Sequence, residues 1–371
     1  MRFAFVVLVA CVTPHRAARA PAIELVETAP IETTLDSELP DAYTVWLDMI
    51  RGANHTIELG QFYASNAANS RLEPIVAALE AASHRGVQVR FLAEHSFVST
   101  YPDTLARLAT AGATVRHLDL GTGGILHAKY MIIDGREAFL GSQNFDWRAL
   151  EHNLELGARI RDGAIVRALS LIFAADWAHA GGEPMPTTRA PPSRLLASPR
   201  DHVPAGIAWD LPALVALIDG ARHTIHVQLL TYLAGDWTEL EAALVRAAKR
   251  GVDVELLVAD WAKRAKTVAG LQQLARTPHL AISFVTIPQW SGGFIPYARV
   301  AHAKLLVVDG VRGWLGTSNW EREYFYESRN LGLAIDDAAI ARQLERFFAA
   351  TRRYATRVDP DATYQPPRIA E

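Results

Sequence analysis

Cysteine is almost absent: Cys11 is the single one among 371 residues. An internal disulfide and a cysteine-based zinc site are therefore excluded. The thirteen histidines include no H-E-x-x-H pair, so the sequence demands no metal and no other cofactor. Basic residues are not in excess. The 37 Lys and Arg are set against 40 Asp and Glu, for a net charge of -3. That balance argues against a broad duplex-binding surface, which would be basic, but leaves room for a local positive pocket. The apolar run Phe3 to Val12 is too short for a bilayer, which takes ~20 residues in a helix.

A basic start followed by that short run predicts a secretory signal over residues 1–20, with Ala18-Arg19-Ala20 as the cleavage site. The expected location is periplasmic or secreted. Leu8-Val9-Ala10-Cys11 resembles a bacterial lipobox and supplies the alternative, a membrane-anchored lipoprotein lipidated at Cys11.

The strongest feature occurs twice. His127, Lys129 and Asp134 form H-x-K-x4-D, and His302, Lys304 and Asp309 repeat it. After six intervening residues each Asp is followed by a Gly-rich turn ending in Asn: Gly141-Ser142-Gln143-Asn144 and Gly316-Thr317-Ser318-Asn319. One H-x-K-x4-D has a chance frequency on the order of 10⁻⁴ per start position. Two copies with matched downstream turns point to one site shared by two halves. Other segments recur too. Ile50 to Ile57 matches Ile218 to Ile225, and Arg85-Gly86-Val87 matches Arg250-Gly251-Val252.

Helix periodicity covers about 41–50, 70–84 and 102–110, alternating with strand-like runs at 56–63 and 87–92. The second half repeats the order at 212–220, 224–230, 239–250 and 252–258. This alternation predicts an α/β fold of two homologous halves, each a mixed sheet covered by helices. The expected halves are 21–180 and 210–355, joined by a Pro/Gly-rich connector at 181–209 and followed by a polar, loosely held tail at 356–371. A duplicated chain completes its own site and needs no obligatory protein partner.

Lys129–Asp134 and Lys304–Asp309 read as buried strands. Residues two apart on a strand share a face, so each His points with its Lys. The Asp falls past the strand or on the other face and is read as structural support, as are Ser142 and Thr317. Two Lys and two Asn converging on one point make a phosphate clamp. Two imidazoles across it suit in-line displacement, with one attacking phosphorus and one protonating the leaving oxygen. Each imidazole needs an acceptor on its other nitrogen. Glu155 and Glu327, shortly downstream of the Asn turns, are the candidates. Tyr63, Trp147, Tyr232 and Trp320 are candidates for stacking on a single-stranded substrate. The walls that select the substrate are expected in the loops 64–70, 95–102 and 290–297.

The paired motifs resemble those of the phospholipase D superfamily over residues 40 to 350. Asn144-Phe145-Asp146-Trp147-Arg148, Glu155-Leu156-Gly157, Ile295 to Val300 and Asn319-Trp320 resemble the branch that holds the mammalian phospholipases D three and four and poxvirus relatives. The resemblance implies a metal-independent phosphodiesterase acting through phosphohistidine. In it His127 is the nucleophile and His302 the general acid. Lys129, Lys304, Asn144 and Asn319 bind phosphoryl oxygens, while Glu155 and Glu327 orient the imidazoles. It implies single-stranded nucleic acid, attacked from the 5′ end, as substrate. The alternative is phospholipase D or transphosphatidylase action on phosphatidyl lipids.

Overall fold

The computed structural model describes residues 20–35 and 38–370. The expected signal, apart from Ala20, and Cys11 lie outside the described residues. Among those described, no helix is long and apolar enough to cross a membrane.

The first half runs β1 (Ile23–Thr28), α1 (Ala42–Arg51), β2 (Thr56–Gln61), β3 (Ala64–Ser65), α2 (Leu72–His84), β4 (Gln88–Glu94), α3 (Asp103–Thr110), β5 (Thr114–Leu118), β6 (Tyr130–Ile133), β7 (Glu137–Gly141), β8 (Phe145–Asp146), α4 (Trp147–Glu151), β9 (Glu155–Ile160) and α5 (Gly163–Ala180). The second runs β10 (Leu195–Ser198), β11 (Ala208–Trp209), α6 (Asp210–Asp219), β12 (Thr224–Leu229), α7 (Glu239–Lys249), β13 (Asp253–Ala259), α8 (Ala265–Leu274), β14 (Leu280–Val285), β15 (Leu305–Val308), β16 (Arg312–Gly316), α9 (Arg322–Tyr326), β17 (Asn330–Ile335), α10 (Ala338–Arg352) and β18 (Ala355–Arg357).

The two large sheets share one plan. Their orders are β1-β9-β7-β6-β2-β4-β5 and β11-β10-β17-β16-β15-β12-β13-β14-β18. In each, three neighbouring strands are parallel (β2, β4, β5 and β12, β13, β14) and the rest of the matched set is antiparallel. The fold is therefore mixed α/β, with helices over both faces of each sheet. Helix α1 buries Val45, Trp46, Met49 and Ile50 on one stripe, the spacing of an amphipathic helix. Helices α2 and α7 stop at Gly86 and Gly251, whose φ values of 88° and 85° need no Cβ to be avoided. The N–H after each glycine returns to the helix, Val87 to Ala82 and Val252 to Ala247.

Three apolar clusters follow from this. One lies between α1, α2, α3 and the first sheet, and a second between α6, α7, α8 and the second sheet. The third contains α5, α10 and the facing sides of both sheets, so the halves share a core. Both shared helices are capped the same way. Asp162 accepts from the N–H groups of Ala164 and Ile165, and Asp337 from those of Ala339 and Ile340.

Two expected boundaries move. Residues 181–209 are not all connector, because β10 pairs antiparallel with β17 just as β1 pairs with β9; the run without helix or strand is 181–194. The tail is not loosely held. β18 closes the second sheet, Val358 is buried, and the Tyr364 ring packs 5.1 Å from that of Phe284. Apolar and aromatic side chains spaced along a polar tail are enough to dock it.

Polar groups also cross between the halves. Arg329 is fully buried and forms a bidentate pair with Asp176 of α5, at 2.8 and 2.7 Å, and donates to the carbonyls of Ser198 and His202. Removing one member of such a pair leaves an uncompensated buried charge. Asp176→Ala should therefore lower unfolding free energy by about 3–5 kcal/mol, read as the shift of a urea unfolding curve.

Candidate active site

The site forms where each half lends backbone to the other. The N–H groups of His127 and Ala128 donate to the carbonyl of Arg329, and those of His302 and Ala303 donate to the carbonyl of Leu154. Arg329 and Leu154 donate back, to Ile125 and Val300. His127 and Lys129 consequently precede β6 rather than lying in it, and His302 and Lys304 precede β15. These two extended crossings bring the motifs face to face.

His127, Asn144, His302 and Asn319 line one cavity of about 520 Å³. Lys129 and Lys304 lie buried beneath it. Lys304 Nζ donates to the His302 carbonyl at 2.6 Å, and Lys129 Nζ donates to that of His127. Asp134 and Asp309 are remote from the cavity. Both have left-handed backbones and accept from three successive N–H groups, Asn54 to Thr56 and Arg222 to Thr224. Burial opposes ionisation of Asp134, but the N–H groups of Thr56, Asn54 and His55 outweigh it and hold the carboxyl at about 2. Each Asp thus fastens the turn after β6 or β15 to the start of its neighbour strand.

The imidazole partners are exchanged between halves and are unlike. Glu155, at the start of β9, lies 2.8 Å from Nδ1 of His302 and accepts a 2.5 Å bond from Ser142. Nδ1 of His127 lies 3.0 Å from Oδ1 of Asn330, which also accepts from Thr317. The Asn330 amide nitrogen donates to the carbonyl of Tyr324. Its oxygen therefore faces His127, which must carry hydrogen on Nδ1 and leave Nε2 as a lone pair.

Glu327 does not hold an imidazole. It ends α9, more than a third exposed, and pairs with Arg322. The orienting position belongs to Asn330, which stands 175 residues after Glu155 as Lys304 stands after Lys129. That constant offset is the signal in the sequence that marks Asn330.

Two of the stacking candidates are core residues instead. Tyr232 and Trp320 are 2% and 1% exposed within the second half's cluster. Trp147 is half-buried against His152 and does not line the cavity. Tyr63 does line it, with its hydroxyl 2.9 Å from Asp146. The cavity wall is more aromatic than those four suggest. Phe97 packs on Phe62 at 4.4 Å, and Tyr101 stacks on Tyr63 at 4.8 Å. Tyr297, 52% exposed, stands at the rim. The loops 95–102 and 290–297 thus contribute walls as expected, whereas none of 64–70 lines the cavity.

Charge in the site is frustrated. Burial, then Lys129 and Lys304, hold the His127 imidazole well below the usual histidine range; burial, then Lys304 and Lys129, do the same to His302. Lys304 falls to about 7 through burial, despite Glu155, and burial and Lys304 also lower Lys129. Burial lifts Glu155 to about 8 against the pull of Lys304 and Ser142. The site without a substrate therefore sheds positive charge, and an entering anion would restore it.

A family model described as "Cardiolipin synthase, PLD-like domain" matches residues 46–177 and again 214–352. The chain belongs to this phospholipase D-like family. "Phospholipase D Z" of Dictyostelium discoideum is 27% identical over 88% of each chain. "5'-3' exonuclease PLD4" of Mus musculus is 30% identical, over 84% of this chain and 72% of its own. Among solved structures, the phosphatidylserine synthase of Haemophilus influenzae Rd KW20 superposes with a TM-score of 0.64 at 12% identity, over 91% of this chain and 87% of its own. The polyphosphate kinase of Porphyromonas gingivalis gives 0.64 at 17%, over 94% of this chain and 51% of its own. These two share the fold. The chain is an enzyme of the phosphodiesterase class.

The titration predicts anion binding coupled to protons. Lys304 is lowered, so its charge is lost as pH rises through about 7, and a bound oxyanion returns the proton. Tungstate affinity should weaken ~10-fold per pH unit above 7 for one coupled proton. Calorimetry in buffers of different ionisation heat should show proton uptake.

Proposed function

We propose that this enzyme hydrolyses single-stranded nucleic acid, stepwise from the 5′ end, through a phosphohistidine and without a metal. The observation that carries the substrate reading is the aromatic wall of Phe62, Tyr63, Phe97 and Tyr101 beside the histidines, with Tyr297 at the rim. Rings of this kind stack on bases of any sequence. The similarity to a relative named as a 5'-3' exonuclease supports the same reading.

In this scheme Nε2 of His127 attacks phosphorus, since Asn330 keeps its Nδ1 protonated. The phosphorus–oxygen ester bond breaks, and His302 hands a proton to the leaving oxygen. Glu155 and His302 together act as the proton store, because buried Glu155 retains a proton up to about 8. Water then attacks the phosphohistidine, His302 takes its proton, and the phosphorus–nitrogen bond breaks. Lys129, Lys304, Asn144 and Asn319 stabilise the equatorial oxygens. The two buried ammonium groups supply the positive charge that a metal supplies elsewhere. Export, by cleavage near residue 20, is part of the proposal.

A lipid substrate is the second reading. The apolar side of the cavity, Ile125, Leu230 and Val300, would suit a phosphatidyl group, and one relative is named a phospholipase D. A side-by-side assay decides. Labelled oligonucleotide in EDTA should give mononucleotides stepwise, with no head-group release from phosphatidylcholine. Head-group release without nucleotide release overturns the nucleic-acid reading. His127→Ala should lower turnover by at least ~10³-fold and abolish acid-labile phosphoenzyme.

Glu155→Gln tests the proton store. Activity of the wild type should fall as pH rises through about 8, when the pair gives up its proton. The variant should lose that limb and run ~10²-fold slower on a poor leaving group, with most of the rate recovered on a nitrophenyl ester.

A further inference from the structure

The two halves place unlike residues at one matched position of the cavity. Helices α4 and α9 correspond at the constant offset of 175, which sets Ala149 opposite Tyr324, and both line the cavity. The alanine leaves space on one side. On the other, the tyrosine ring stands edge-on to His127, with centroids 4.9 Å apart and planes at 81°.

The hydroxyl is the more telling part. The Asn319 side chain lies beside the Tyr324 hydroxyl and pulls its pKa down against the effect of burial. A phenol beside an amide donor still has its own proton to give. Among the described residues, no protein group accepts that proton. Tyr63 meets Asn144 in the first half, at 3.5 Å, but its proton is taken by Asp146. The two Asn–Tyr pairs therefore look alike and differ in what they offer. One presents a satisfied hydroxyl, the other a free donor beside the attacking imidazole. Burial lifts the Tyr324 phenol to about 12, so it stays protonated across the working range.

We infer that Tyr324 is a further catalytic residue: its hydroxyl donates to an oxygen of the phosphodiester in the transition state. The inference rests on the diester-cleaving reading of the site, not on nucleic acid as the substrate. The hydroxyl forms no covalent bond and loses no proton in the cycle. It adds one neutral donor to the two lysines and two asparagines.

The experiment uses the full chain, bis(p-nitrophenyl) phosphate as a generic diester, and tungstate as the anion. Tyr324→Phe keeps the ring and removes the hydroxyl. We expect kcat to fall about 10- to 100-fold, with tungstate affinity reduced about 10-fold and an unchanged thermal melt. Tyr324→Leu should show a similar loss of tungstate affinity. If Tyr324→Phe matches the wild type and only Tyr324→Leu is impaired, the residue merely packs on His127 and the inference is overturned. A double-mutant cycle excludes an indirect effect. Introduced into Asn319→Ala, Tyr324→Phe should still cost about 10-fold; no further loss would mean that the hydroxyl works only through Asn319, which also overturns it. Failure of the wild type to cleave the diester would instead defeat the functional reading beneath.

Discussion

Two lysine ammonium groups in one buried space set the terms for everything around them. Burial alone disfavours each charge, and each disfavours the other. The protein meets this by a carbonyl at each Nζ, by a single carboxyl group, and by two imidazoles held neutral. None of these supplies a standing negative charge, since Glu155 itself keeps a proton up to about 8. In the proposed reaction the missing negative charge is that of a phosphodiester, so binding and charge relief are the same event. This explains why the catalytic groups are buried although they must meet substrate. A site open to water would screen the lysines and weaken their hold on a developing oxyanion.

Such a site requires walls that cannot relax apart. The shared core of α5, α10 and the facing sheets supplies them. The exchanged hydrogen bonds at Leu154 and Arg329 then couple each histidine to the opposite half. The crossing strand that carries His127 is bonded to Arg329, and the next residue, Asn330, holds the imidazole. The crossing that carries His302 is bonded to Leu154, and the next residue, Glu155, holds that one. Backbone pairing and imidazole orientation are thus set by the same two short segments. Arg329 is fixed in turn by Asp176, which ties the geometry at His127 to a helix of the shared core.

Much of this is legible in the sequence because the motifs are local and doubled. His, Lys and Asn fall at fixed separations along a rigid crossing, and the alternating helices and strands follow from periodicity. The parts that were not legible depend on contacts between halves. Glu327 is a carboxylate near the second motif, but its side chain lies at the exposed end of α9. Only the repeat register identifies Asn330. Tyr232 and Trp320 follow or abut site residues in sequence, yet their rings turn into the second core. The loop 95–102 is legible as a wall; that Phe97 and Tyr101 are the rings it brings against Phe62 and Tyr63 is not. Likewise β10, next to Pro-rich sequence, becomes a strand because β17 offers it an edge.

The departures from symmetry fall beside the reacting groups rather than among them. His, Lys and Asn are the same in both halves; what differs is Glu155 against Asn330 and Tyr324 against Ala149. The proposed hydrolysis through a covalent intermediate gives a reason. The attacking imidazole needs a lone pair and a fixed tautomer, which a neutral amide provides without adding charge. The other imidazole must release a proton in one step and take one in the next, so it gains from a partner that can hold that proton. A carboxyl raised to about 8 by burial is such a partner. Equal partners would leave the two histidines interchangeable and let substrate bind in two opposed orientations, one of them with the leaving group turned away from the proton store. Changing two neighbours in each half is enough to give a duplicated site one direction.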